Sequence, residues 1–174
     1  MDKRSLSWED CLRIASEVAD ALTYLHKATP RPIIHRDIKP SSILLDEHFS
    51  AKVAELGLAV SIPLGETRLE LEKIEGTYGS GELLLDLLTG KKAYDWKRTG
   101  DRGAAFSDLV ISSMKEEWLG LDSEASIESD KKMEQLIAWV ELALSCVKPK
   151  GEERPTMKEV AQELRRIKGA KTYL

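Results

Sequence analysis

Apolar residues recur every three or four positions over residues 7–27, SWEDCLRIASEVADALTYLHK, at Trp8, Cys11, Leu12, Ala15, Val18, Leu22 and Leu25. That spacing places them on one face of a helix. Ser7 followed by Asp10 has the form of a capping box, and the prolines of ATPRP (28–32) end the helix because proline cannot continue it. The period then changes. Ile43–Leu45 and Ala51–Val53 are short β-type runs joined by DEHFS, which reads as a tight turn. Residues 58–73 carry only a weak pattern broken by Pro63 and Gly65, which predicts a loop, and GTYGSG (76–81) reads as a mobile glycine-rich stretch. A short apolar helix is predicted over 82–88, stopped by Gly90. Residues 91–104 read as a polar loop, 106–119 as a helix starting near Ser107, and 120–131 as acidic and irregular. The segment 132–147 is a strongly apolar helix with Leu136, Val140, Leu144 and Val147 on one face, broken by KPKGEERP. The last helix, 156–168, turns Met157, Val160, Leu164 and Ile167 inward with Thr156 as its cap. The pattern is mainly α with one small β-hairpin.

Composition adds mostly exclusions. With 174 residues, 42% of them apolar and 32% charged, the chain has enough material for one domain with a real core. A net charge of −4 gives no general attraction to nucleic acid or to an anionic membrane. Cys11 and Cys146 form neither a disulfide framework nor a zinc pattern and are expected to be buried free thiols. The N-terminus has no apolar core of a signal peptide, and the leucine-rich run ELLLDLLTG is too short to span a bilayer, so no transmembrane segment is expected.

The chemistry gathers in IIHRDIKPSSILLDEHFSAKVAELG, residues 33–57. Asp37 and Lys39 lie in the loop before the hairpin: a carboxylate there can accept a hydroxyl proton, and an ammonium can neutralise a phosphoryl oxygen. Taken singly these residues say little. An Asp–Lys pair is usually a surface ion pair, and His35 alone is more often a hydrogen-bonded structural histidine than a base. Jointly, His-Arg-Asp-x-Lys-Pro, a hairpin and an acidic-x-Gly triplet form a specific pattern.

This stretch resembles the catalytic loop and metal-binding loop of eukaryotic protein kinases. LSWEDCLRIASEVADALTYLH, FSDLVISSMKEEWL and KGEERPTMKEVAQELRRI extend the likeness to the C-terminal lobe of plant receptor-like kinases, those of the wall-associated group above all. The resemblance covers residues 5–168 as a partial kinase domain, with 169–174 as a tail. It implies that Asp37 is the catalytic aspartate, that Lys39 contacts the transferred phosphate as in Ser/Thr-type kinases, and that His35 and Arg36 brace the loop. It also implies ATP and Mg²⁺ as cofactors. At two metal-ligand positions the chain departs from the family: Ser42 stands where asparagine is expected, and Glu55-Leu56-Gly57 replaces Asp-Phe-Gly. Glu55 is one methylene longer, Ser42 offers a neutral hydroxyl, and Mg²⁺ tolerates geometric error poorly.

Other parts of the family pattern are absent from these 174 residues. No glycine-rich ATP loop and no Val-Ala-x-Lys strand occurs, so the resemblance is to the C-terminal lobe without the N-terminal one. After Gly79 the chain passes almost directly to a sequence like the end of the family's central helix. Part of that helix is therefore expected to be missing through an internal deletion near 79–81, as exon skipping or misplaced exon boundaries would produce. The deletion would remove the glutamate that Arg154 pairs with in the family, and losing one partner of a buried pair costs about 3–5 kcal/mol. A destabilised or partly molten fold is the expectation. The resemblance implies a partial Ser/Thr kinase domain without activity of its own. The alternatives are a pseudokinase-like adaptor binding another kinase or a receptor's cytoplasmic domain, or a truncated product without a role. A cytoplasmic location beside plasma-membrane receptors would follow. Ser61, Thr67 and Thr77 are loop hydroxyls that a kinase could modify.

Overall fold

The computed structural model describes residues 6–63, 77–89, 111 and 127–169. Four helices dominate: α1 (Trp8–Lys27), α2 (Tyr78–Thr89), α3 (Ile127–Cys146) and α4 (Met157–Lys168). Between α1 and α2 lie four short strands, β1 (Ile33–Ile34), β2 (Ile43–Leu45), β3 (Ala51–Val53) and β4 (Val60–Ser61), with single 3-10 turns at Pro40–Ser42 and Leu56–Leu58.

Helix α1 starts where its capping box puts it. The Ser7 hydroxyl accepts from Asp10 N–H at 3.1 Å, and the Asp10 carboxylate returns the bond to Ser7 N–H at 3.3 Å. The same reciprocal arrangement opens α4, where Thr156 and Glu159 cap each other and Gly169 closes the last turn. The face predicted for α1 is the buried one, with Leu22 fully enclosed. It packs on the inward face of α4, where Leu164 is equally enclosed. Helices α2 and α3 pack beside them, and the buried residues of all four form one continuous apolar core. Trp139 is wholly inside it, its indole N–H donating to the Leu84 carbonyl at 3.1 Å and its ring 5.3 Å from that of Trp8. Cys11 and Cys146 are free and buried in this core, and burial pushes both thiols up to about 12.

The strands make two two-stranded antiparallel sheets. β2 and β3 form the expected hairpin in the register Ile43↔Val53, Leu44↔Lys52, Leu45↔Ala51. The Asp46 carboxylate caps its turn by accepting from His48 and Ser50 N–H at 2.9 Å each. Helix α1 holds the hairpin down: Glu17 accepts Ala51 N–H at 2.6 Å and Arg13 donates to the His48 carbonyl at 3.1 Å. The second sheet departs from the sequence expectation. β4 lies within the segment expected to be a loop, and it pairs Val60 with Ile34 and Ser61 with Ile33. Two-residue strands leave no period-2 signal to read.

Three further expectations are corrected. Residues 78–81 of the glycine-rich stretch are the start of α2, which begins at Tyr78 rather than residue 82, and Gly76 lies outside the described residues. The glycines of α2 serve close packing. A Cβ at Gly79 would stand 2.9 Å from the Ile38 carbonyl oxygen, and one at Gly81 would stand 2.6 Å from Cys146 Cβ and 2.7 Å from Val147 Cγ1. Helix α3 begins at Ile127, inside the segment expected to be irregular. Arg154 is not stranded: it is buried, donates to the Lys148 carbonyl at 2.7 Å and the Pro149 carbonyl at 3.0 Å, and lies 4.9 Å from the centre of the Tyr78 ring. Apart from Ile111, which is helical, the helix expected over 106–119 lies outside the described residues, as do Gly65, Thr67, Gly90 and 91–104.

Two outcomes follow. Gly81→Ala is expected to cost about 1–3 kcal/mol through the forced α2–α3 separation, read as a lower midpoint in urea unfolding. Both cysteines are expected to stay unreactive toward Ellman's reagent at pH 8 in the native protein and to react fully in denaturant. Reaction of either in the native state would contradict their buried, protonated placement.

Candidate functional site

The loop that carries the motif leaves β1 and is closed by β4, so residues 33–61 return on themselves and bring Glu55 back to Asp37. His35 is buried at the centre of that turn. Its Nδ1 accepts Asp37 N–H at 3.3 Å, which leaves Nε2 carrying the proton and donating to the Ala54 carbonyl at 2.7 Å. The Ala54 N–H in turn donates to the Ser42 carbonyl at 2.8 Å. One residue's two backbone groups thus tie together the loop's beginning, its end and the strand that leads to Glu55.

Two residues of this turn adopt left-handed backbone, Arg36 at φ 70° and Glu55 at φ 61°. For residues other than glycine this costs about 1–2 kcal/mol each. Both adjoin the pinned positions, Arg36 following His35 and Glu55 following Ala54, so the hydrogen bonds hold the strained turns in place. The strain aims the acidic side chains at Lys39. Its Nζ donates to Asp37 Oδ2 at 2.6 Å and lies 3.5 Å from Glu55 Oε2. The Asp37 hydrogen bond holds the ammonium above the usual lysine range, with Asp37 and Glu55 charges adding to it. The other Asp37 carboxylate oxygen makes no hydrogen bond among the described residues and is available to accept a proton.

The structure therefore brings together Asp37, Lys39 and Glu55 with His35 beneath them, and it places Ser42 elsewhere. Ser42 is fully buried; its hydroxyl accepts Lys39 N–H at 3.0 Å and donates to the Lys39 carbonyl at 2.7 Å. It works as a clip on the Pro40–Ser42 turn. Gly57 lies in the exposed Leu56–Leu58 turn, and a Cβ added there would meet nothing within 4 Å. Of the candidate phosphorylation positions, Ser61 is exposed on β4. Thr77 is buried and donates to the Pro155 carbonyl at 2.9 Å. Sequence reasoning missed the role of the Ala54 backbone, which no side chain announces. It also missed Gly79, whose contact with Ile38 sets the start of α2 against the loop between Asp37 and Lys39. The glycine itself was the available signal.

The chain matches the protein kinase domain family over residues 1–164. It belongs to that family. Among curated relatives, this kinase-family chain is 36% identical to wall-associated receptor kinase-like 1 of Arabidopsis thaliana, over 97% of the chain and 26% of the relative. It is 36% identical to wall-associated receptor kinase 5 of the same plant, over 94% of the chain and 25% of the relative. It is also 35% identical to the Arabidopsis serine/threonine-protein kinase ZRK1, over 95% of the chain and 53% of the relative. The chain thus spans about a quarter of the length of the wall-associated relatives and about half of that of the third. The span aligned with the first is 189 residues, longer than this 174-residue chain, so that relative carries residues within it that have no counterpart here.

Removing the Ser42 hydroxyl takes away the acceptor of Lys39 N–H and one of the two donors to the Lys39 carbonyl. Ser42→Ala is expected to cost about 1–3 kcal/mol in urea unfolding, whereas Ser41→Ala, on the exposed neighbour, should change stability little.

Proposed function

We propose that this chain is the helical C-terminal lobe of a Ser/Thr-type protein kinase domain that keeps its catalytic loop folded and does not by itself transfer phosphate from ATP. The observation that carries this reading is the fate of the two departing positions. Mg²⁺ requires a near-octahedral shell of oxygens at about 2.0–2.1 Å. The Ser42 hydroxyl is already committed to both backbone groups of Lys39, so the residue at the asparagine position does not fit the metal. The Glu55 carboxylate faces the Lys39 ammonium that also holds Asp37. Asp37 retains the exposure and the vacant oxygen of a general base. A positioned base supplies about 10²–10⁴-fold, while most of phosphoryl transfer rests on positioning and charge neutralisation.

Three further observations support the reading. Leu44, Leu56 and Leu58 are exposed on the segment that carries the cluster, apolar surface of the kind a second lobe would cover. The residues lacking a counterpart in the alignment fit an internal deletion, which we place near 79–81. No described helix is long and apolar enough to cross a membrane, and the receptor kinases it resembles suggest a place on the cytoplasmic side of the plasma membrane.

A second reading, an adaptor that binds another kinase or a receptor's cytoplasmic domain, is favoured by one observation: the four-helix core is closed while the metal positions are altered. The two readings share one experiment. Purified protein is incubated with labelled ATP, Mg²⁺ and a generic protein substrate, beside Asp37→Asn. No incorporation above the Asp37→Asn background is expected, and pull-down of a partner kinase unaffected by Asp37→Asn would support the adaptor. Turnover abolished by Asp37→Asn would overturn the inactive reading.

A further inference from the structure

Away from the catalytic loop, α1, α3 and α4 enclose a cavity of about 240 Å³ whose wall carries three lysines, Lys131 and Lys132 from α3 and Lys168 from the end of α4. Its floor is fixed. Gln135 accepts the Trp8 indole N–H at 3.1 Å and donates to the Ile167 carbonyl at 2.7 Å, linking all three helices at that point. Glu9, in the first turn of α1, is the one carboxylate among the lining residues. Among the described residues, neither Lys131 nor Lys168 has an ion-pair or hydrogen-bond partner. Three lysines and one glutamate line this concave, indole-walled site, an anion-binding composition in a chain whose net charge is −4.

We infer that this cavity binds a phosphate monoester, and specifically a phosphorylated serine or threonine side chain presented by another protein. The charge fits: such a group carries about −1.5 to −2 at pH 7 and three strong acceptor oxygens, which lysine ammoniums satisfy as point charges. The size fits a phosphate with a short carbon stem, because the cavity lies below the roughly 300–1,000 Å³ of pockets that enclose drug-sized molecules. The indole offers that stem an apolar wall. Glu9 repels an extended polyanion such as nucleic acid but can accept a peptide N–H beside the phosphorylated residue. The overall negative charge disfavours an anionic bilayer, which would meet the whole face rather than one concavity.

Calorimetric titration of the full chain tests the inference with four probes: a short phosphoserine peptide, its unphosphorylated counterpart, inorganic phosphate, and vesicles containing phosphatidylserine. Binding of the phosphopeptide alone among the two peptides is expected, tighter than inorganic phosphate and weakened by salt. The double variant Lys131→Gln, Lys168→Gln is expected to lower its affinity about tenfold while near-ultraviolet circular dichroism stays native. Glu9→Gln, which removes the opposing charge, is expected to tighten it. Equal binding of both peptides, or indifference to the lysine and Glu9 variants, would sink the proposal. Inorganic phosphate binding as tightly as the phosphopeptide would remove the peptide from it, and vesicle binding lost in the double variant would assign the lysines to a lipid surface instead.

Discussion

The candidate site hangs on the backbone of Ala54. Its carbonyl accepts the buried His35 Nε2–H, and its N–H donates to the Ser42 carbonyl. Remove either bond and the two left-handed residues beside it, Arg36 and Glu55, lose what offsets their conformational cost. The chemistry of the loop is thus a consequence of main-chain geometry. Asp37 and Glu55 lie eighteen positions apart and meet at one lysine because the β1–β4 pairing and the Ala54 bonds close the turn between them. The histidine before Asp37 has a structural role visible in this chain. A ring with one donor and one acceptor nitrogen can bind a backbone N–H on one side and a carbonyl on the other.

The loop is also supported from below. Ile38, between Asp37 and Lys39, is buried against the start of α2, and the absence of a side chain at Gly79 sets that distance. Two residues on, Gly81 lets the same helix press on α3 at Cys146 and Val147. Helix α2 therefore touches the Asp37–Lys39 loop at one end of a turn and the helical core at the other. It transmits the position of the core to the loop. Arg154 contributes from a third direction. It ties two carbonyls of the connection after α3 and stacks near Tyr78 at the beginning of α2. Interiors packed at crystal-like density pass such constraints on without slack.

What the sequence revealed, and what it hid, follows from how local each signal is. The faces of α1 and α4, the capping box of α1, the Thr156 cap of α4 and the β2–β3 hairpin were legible, because each depends on residues three or four apart or on one turn. The β1–β4 pair was not, since it joins residues 26 and 28 apart through strands too short to alternate. The early starts of α2 and α3 were hidden by composition. Glycines argue for mobility in isolation, yet Gly79 and Gly81 mark contact, and the acidic run before α3 argues against a helix that nonetheless extends into it. The carbonyl partners of Arg154 were hidden for a related reason. Pair logic asked which glutamate was missing, whereas the nearby carbonyls of Lys148 and Pro149 were available to the guanidinium.

Ser42 and Glu55, the two residues expected to depart from the family pattern at metal-ligand positions, differ in physical kind. Serine at position 42 is short, so its hydroxyl stays within reach of its own turn and exchanges two hydrogen bonds with Lys39. From there it stiffens the loop from inside. Glutamate at position 55 keeps the carboxylate and lengthens its reach, which brings it within 3.5 Å of Lys39 Nζ from a left-handed backbone. The same ammonium is already 2.6 Å from Asp37. Because all three groups are partly solvated, their attraction is screened and adds little to stability. Its consequence is geometric: one internal cation sits between the two acidic side chains the motif brings together. The loop keeps its folded outline through Ala54 and Ser42, while Lys39 offsets one of the two negative charges beside it.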